Sequence, residues 1–268
     1  MQSEKLNIDG IDIAYIRRGR GMSLILIHGY PLDHSIWDQV APLLGDDFEM
    51  IIPDLRGFGG SDLVEADQSI IDYASDLAGI MTQLRVKKAV LAGHSMGGYV
   101  ALAFAREYPE RVSGLAMIAS QVLADPPERK EGRYATAKQV LEEGVGPIVE
   151  SMTPKLSADP AVQAFVRELI SRQRSMAIAS ALRAMAERPD SAEMFAAFRF
   201  PVVIVHGDAD ALIPVERARE MKVALGSARY TELAAVGHMP MLEQPGAVAE
   251  ALQFFVKVRL KGVKLLEP

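Results

Sequence analysis

Residues 89–98 read Ala89-Val90-Leu91-Ala92-Gly93-His94-Ser95-Met96-Gly97-Gly98, and they constrain the chain more than any other stretch. A short run of buried-strand character stops at a glycine, and a helix-like pattern begins at Met96 and runs to Arg106. The junction carries the spacing Gly-x-Ser-x-Gly. A serine at such a junction has to sit on a tight, strained turn, so that its hydroxyl projects clear of the strand end. Side chains two positions before and two after would strike neighbouring backbone, and Gly93 and Gly97 remove both collisions. The helix that follows points its N-terminus at the same place, which favours developing negative charge. The competing reading of the motif is a structural glycine turn, but the strand–turn–helix setting marks Ser95 as a nucleophile.

The rest of the chain repeats the alternation of short apolar runs with longer helical ones, the signature of an α/β fold with a mostly parallel sheet. Residues 24–27, 50–52, 115–118, 202–205 and 229–233 read as further strands. Residues 69–84 predict a helix, with Ile70, Tyr73, Leu77, Ile80, Met81 and Leu84 at helical spacing. About eighty residues separate the strands at 115–118 and 202–205, far more than one crossover helix needs. That stretch is rich in Ala, Met and Arg and is broken at Pro126-Pro127, Pro154, Pro160 and Pro189. The economical reading is a helical cap over residues 121–198, inserted into a core domain of residues 1–120 and 199–268; plain packing helices are the alternative.

Composition excludes several classes of function. Of 268 residues none is cysteine, which removes disulfides, cysteine–zinc sites and thiol nucleophiles and fits a reducing compartment. The net charge of −6 argues against a nucleic-acid or anionic-membrane partner. Residues 1–6 have no apolar core of a signal peptide, and residues 89–105 are too short and too interrupted to span a bilayer, so a cytoplasmic location is expected. His34 and Asp38 lie four apart, yet two ligands do not make a metal site, and no nucleotide-binding glycine fingerprint occurs; no cofactor and no metal are expected. Oligomeric state is left open, a homo-oligomer included.

Five segments together resemble the α/β-hydrolase fold superfamily: His28-Gly29-Tyr30-Pro31, residues 54–61 (Asp-Leu-Arg-Gly-Phe-Gly-Gly-Ser), residues 93–98, Gly207-Asp208-Ala209-Asp210, and Gly237-His238. They stand in that family's order, and the resemblance covers nearly all of the chain. It implies a mostly parallel twisted sheet with helices on both faces, and a catalytic set in chain order serine, acid, histidine. Of five histidines, His28, His34, His94, His206 and His238, the last sits in a loop after the strand at 229–233 and is the expected base. Asp208 and Asp210 both follow the strand at 202–205, where open α/β sheets place their ligands. The family pattern selects Asp210 over Asp208, with Asp125 a distant third. The resemblance also implies an oxyanion site formed by the backbone N–H groups of Tyr30 and Met96. His28, Gly29 and His94 are expected to be structural, and Asp54, Arg56 and Gly57 to form a hydrogen-bonded loop at the pocket. Trp37, Met152, Met176, Met185 and Met194 are candidates for an apolar acyl site, or else plain core.

A serine at the elbow points to acyl transfer, whereas related dehalogenases and epoxide hydrolases carry an aspartate there. The expected activity is hydrolysis of small carboxylic esters or lactones through an acyl-enzyme on Ser95. Pro31 after the oxyanion residue also resembles the cofactor-free perhydrolases, or non-haem haloperoxidases. Enol-lactone hydrolysis and carbon–carbon bond hydrolysis fit the same motifs. A non-catalytic ligand receptor on this fold is the reading from a different class.

Overall fold

A computed structural model describes residues 3–260. Eight strands form one sheet in the order β1-β2-β4-β3-β5-β6-β7-β8. They are β1 (Glu4–Ile8), β2 (Ile11–Gly19), β3 (Met22–Ile27), β4 (Phe48–Pro53), β5 (Ala89–His94), β6 (Val112–Ile118), β7 (Val202–Gly207) and β8 (Arg229–Leu233). The pairs β1–β2 and β2–β4 are antiparallel, and every other pair is parallel. Strands β5 and β7 are buried throughout, as expected for parallel strands covered on both faces. Their near-continuous Val, Ile, Leu and Ala content follows from that position.

The sheet strands expected from sequence are present, each extended by up to three residues at an end. The antiparallel β1–β2 hairpin is an addition. Its turn is Asp9-Gly10, both at positive φ (50° and 90°), the geometry that matches a two-residue hairpin to strand twist. Beyond the sheet, the helices run α1 (Ala41–Leu44), α2 (Ile70–Gln83), α3 (Met96–Glu107), α4 (Pro127–Glu143), α5 (Gly146–Leu156), α6 (Pro160–Ser171), α7 (Ser175–Ala186), α8 (Ala192–Ala196), α9 (Glu216–Ala224), α10 (Pro240–Glu243), α11 (Pro245–Leu252) and α12 (Phe254–Leu260). α2 begins at a reciprocal capping box between Ser69 and Asp72, which satisfies two orphan N–H groups of its first turn. Helices pack on both faces of the sheet: α2 and α3 together, with α3 on β3, β5 and β6, and α11 with α1 and β7.

After β3 the chain steps outward to β4, then back across to β5 on the other side of β3. The ends of β3 and β5 therefore adjoin at the point where strand order reverses, the usual place for a ligand crevice in open α/β sheets. Helices α4–α8 lie between β6 and β7 in the chain. They pack mainly on one another, α4 against α7 and α5 against α6. The α6–α7 junction is tied down to the β3 and β4 loops. Arg174 donates to the Gly57 and Ser61 carbonyls at 2.6–3.0 Å. Gln173 bridges the Asp33 carboxylate and the Gly59 N–H, each at 3.2 Å.

Candidate active site

Ser95 lies between β5 and α3 at φ 50°, ψ −113°, a left-handed backbone that a non-glycine residue holds only when its surroundings over-determine it. The surroundings are tight. A Cβ on Gly93 would lie 2.2 Å from the Gly97 carbonyl oxygen, and one on Gly97 would lie 2.4 Å from the Ile27 carbonyl oxygen. Backbone bonds complete the clamp: Ser95 N–H donates to Ile118 O at 2.9 Å, and Ser95 O accepts from Gly98 N–H (2.9 Å) and the Ser120 hydroxyl (2.8 Å). Gly98 leaves room for that hydroxyl, since a Cβ there would sit 2.2 Å from it.

His238 is buried in the loop between β8 and α10, and its Nδ1 lies 2.7 Å from Asp210 Oδ2. The Asp210 carboxylate is held in turn. Its Oδ1 accepts from the N–H groups of Leu212 (2.8 Å) and Ile213 (3.0 Å), and His206 Nε2 lies 3.3 Å from Oδ2. Burial pushes this carboxyl up, but the His238 ring and its bond, the adjacent His206 ring (whose Nε2 donates to Ile213 O at 2.8 Å) and the Ile213 N–H outweigh it and hold Asp210 well below the ordinary 3.8. Asp210 is thus an anion that orients the imidazole with Nδ1–H toward itself and Nε2 outward. Among the described residues, no hydrogen bond engages Nε2 of His238 or the Ser95 hydroxyl, and both residues border one cavity of about 380 Å³. Asp208 is spent otherwise: its Oδ1 accepts the Ala235 N–H at 2.7 Å, shaping the loop that carries His238.

His28 Nε2 accepts from Leu55 N–H at 2.9 Å while Nδ1 donates to Gly29 O at 2.9 Å. Burial lowers its pKa, and the neutral ring shapes the turn before Tyr30. The Tyr30–Pro31 bond is cis. Met96 opens α3, so its N–H has no intrahelical acceptor. Neither that N–H nor the one of Tyr30 donates to a protein acceptor among the described residues. His94 does more than fill space. Its Nε2 lies 2.8 Å from His238 O and its ring 4.9 Å from the His238 ring. Burial and the neighbouring His238 hold His94 well below the ordinary 6.5, so it stays neutral. Gly29 is needed beneath it, because a Cβ there would lie 2.5 Å from His94 Nδ1. Sequence reasoning set His94 and His206 aside as structural or strand residues; their hold on the His238–Asp210 pair depends on chain segments brought together only by folding.

The remaining candidates divide: the 54–61 loop is hydrogen-bonded as expected, but two of its side chains lie off the cavity. Asp54 does not line the cavity; its carboxylate accepts from His34 N–H (2.8 Å), His34 Nδ1 (2.7 Å) and Gly60 N–H (2.8 Å). Arg56 is paired with Asp76 through two bonds of 2.6 Å, away from the cavity. Asp125 cannot serve His238, because Arg133 and Arg188 both hold its carboxylate. Trp37 is wholly buried in the core, while Met152 and Met185 line the cavity and Met176 and Met194 do not. Asp33, His34 and Asp54 bring three ligand-type atoms within 4.8 Å of one another, a grouping that pairs His34 with neighbours other than Asp38. Backbone, Arg172 and Gln173 donors occupy those carboxylates.

The chain belongs to the α/β hydrolase family, whose model matches residues 24–251. It is similar to the structure of a thermophilic esterase from Thermogutta terrifontis, with 36% identity, TM-score 0.91, and 96% of this chain and 98% of that one covered. It is 31% identical over 224 residues to a putative non-heme chloroperoxidase from Synechocystis sp., covering 77% of this chain and 80% of that protein. An enol-lactonase from Burkholderia xenovorans shares the fold at TM-score 0.86 and 22% identity, over 95% of this chain and all of that one. Among the described residues, no helix is long and apolar enough to cross a membrane.

Proposed function

We propose that this protein hydrolyses small carboxylic esters or lactones through an acyl-enzyme on Ser95, with His238 as base and Asp210 as its orienting acid. The observation that carries the reading is the 2.7 Å His238–Asp210 pair bordering the same cavity as a strained, glycine-clamped serine. Nε2 of His238 takes the hydroxyl proton as Ser95 Oγ attacks the acyl carbon, and Asp210 stabilises the imidazolium that forms. The tetrahedral oxyanion receives the Tyr30 and Met96 N–H groups, at the N-terminus of α3. His238 then protonates the departing alkoxide. Water, deprotonated by the same ring, releases the acid. In this reading α4–α8, within residues 121–198, act as a cap: Arg129, Ile148, Met152 and Leu182 from its helices wall the cavity above Ser95.

Hydrolysis of p-nitrophenyl esters from acetate to octanoate tests the proposal, with Ser95→Ala as control. A serine-dependent rate supports the acyl-enzyme. Equal rates in both proteins overturn it and favour a ligand receptor. A second reading, perhydrolysis, draws on Pro31 and on the likeness to the chloroperoxidase relative. Serine-dependent peracid formation from acetate and hydrogen peroxide would move it ahead of plain hydrolysis.

A further inference from the structure

The cavity above Ser95 is unlike the rest of this chain in its charge. The protein carries a net −6, yet among the described residues the cavity is bordered by Arg129, Arg133 and Lys155 and by no carboxylate. Two acids stand behind the wall: Asp210 is taken up by His238 and the Leu212 and Ile213 N–H groups, and buried Asp125 is shared, with Arg133 and Arg188 hydrogen-bonded to it and Arg129 3.6 Å away. At Asp125 one carboxylate faces three guanidinium groups, two of them, Arg129 and Arg133, bordering the cavity, so positive charge is in excess on that side. Arg133 reaches the cavity side, where its Nη1 rests 3.4 Å from Met185 Sδ, a cavity-lining atom group that cannot neutralise it. Lys155 stands exposed, with no ion pair or hydrogen bond among the described residues.

A second, independent feature points the same way. The Tyr30 hydroxyl is buried and has no hydrogen-bond partner among the described residues, although Tyr30 borders the cavity. A buried donor without a partner is costly, and a ligand oxygen would satisfy it. Between these polar groups Ile148, Met152, Leu182 and Ile213 present apolar wall.

Resting on the hydrolase reading above, we infer that the substrate is an ester or lactone that also bears a carboxylate, joined to the reacting carbonyl by an apolar spacer and received by Arg133, Lys155 and the Tyr30 hydroxyl. Charge-assisted hydrogen bonds to a carboxylate discriminate against a neutral isostere by roughly 10- to 100-fold. The cations also draw anionic substrate toward the cavity, an effect that added salt screens.

The test compares monomethyl adipate with methyl hexanoate, which share a six-carbon acyl chain and differ in the terminal carboxylate, in wild type, Lys155→Glu and Arg133→Gln. Wild type is expected to favour the adipate half ester by about 10-fold or more in kcat/KM, less so in 0.5 M salt (roughly one Debye length of 4 Å). Lys155→Glu, at an exposed position, should cut that ratio to within about 3-fold of unity or invert it. A wild-type ratio near one, or a ratio unmoved by Lys155→Glu, overturns the inference. Methyl hexanoate turnover that vanishes in Ser95→Ala sustains the hydrolase reading even then. Silence on both esters sinks that reading instead, and calorimetric titration with monomethyl adipate decides the anion site alone: binding weakened about tenfold by Lys155→Glu supports it, and unchanged or absent binding overturns it.

Discussion

At the scale of single residues, the two aspartates after β7 are held in different ways. Asp210 accepts from His238 and two backbone N–H groups, whereas among the described residues the Asp208 carboxylate accepts from Ala235 N–H alone. Asp210→Asn should lower kcat by about 10³- to 10⁴-fold, because an amide favours the wrong imidazole tautomer. Asp208→Ala should stay within about tenfold of wild type, since it loosens the loop without touching His238. Comparable losses in steady-state kinetics of the two variants would contradict the assignment. Gly97→Ala tests the elbow: its Cβ would meet Ile27 O at 2.4 Å, so a loss of about 3 kcal/mol or more is expected in urea unfolding.

At the scale of elements, Asp125 just before α4 and Arg188 just after α7 form a buried clasp across the two helices that pack most closely in the inserted region. Arg188 also lies 4.1 Å over the Tyr99 ring on α3 and donates to the Leu123 and Met185 carbonyls. Removing the acid alone leaves a buried guanidinium uncompensated. Asp125→Ala should therefore cost about 3–5 kcal/mol, read as a drop in the urea midpoint, while a loss under 1 kcal/mol would show that the clasp is solvated. The Arg174 anchor to Gly57 O and Ser61 O should govern local opening of the α6–α7 junction. Its loss in Arg174→Ala should speed amide exchange there, before β5 or β7 exchange.

For the whole molecule, buried titratable groups set the response to acid. His28 and His94 are held below the ordinary 6.5 by burial. The unfolded chain takes up protons there as pH falls through 6.5 and the folded rings refuse them, so stability present above 6.5 is lost on acidification. His34 has the opposite sign. Although burial lowers it, its bond to Asp54 wins and raises it above 6.5, so its contribution is full below 6.5 and fades as pH rises. Asp54, Asp125 and Asp210 sit below 3.8 because their histidine or arginine partners outweigh burial. Their contribution is present above 3.8 and lost beneath it. The urea midpoint should decline gently from pH 7 to 4 and steeply below 4; a midpoint that rises on acidification to pH 5 would show that His34 dominates.

Local physics made part of this protein legible from its residues. A left-handed serine needs glycines beside it, and parallel strands buried on both faces need unbroken Val, Ile, Leu and Ala, so Gly93, Gly97 and the strands at 89–92 and 202–205 announce themselves. The Asp9-Gly10 hairpin carried a signal too: a turn dipeptide stands between Leu6-Asn7-Ile8 and Ile11-Asp12-Ile13, which alternate apolar and polar residues. Partnership across distance is another matter. His94 reaches His238 over 144 positions and Gln173 reaches Asp33 over 140, and no periodicity encodes such meetings. The same holds for the cavity wall, where Arg129 and Arg133 on α4, Lys155 on α5 and Tyr30 after β3 converge. Spacing along the chain specifies backbone conformation one turn at a time, so the glycine-clamped turn at Ser95 could be read directly, whereas the order serine, acid, histidine came from the family resemblance. Which carboxylate is buried among arginines, which histidines brace the His238–Asp210 pair, and what charge lines the cavity depend on packing between segments far apart, and there tertiary structure alone decided.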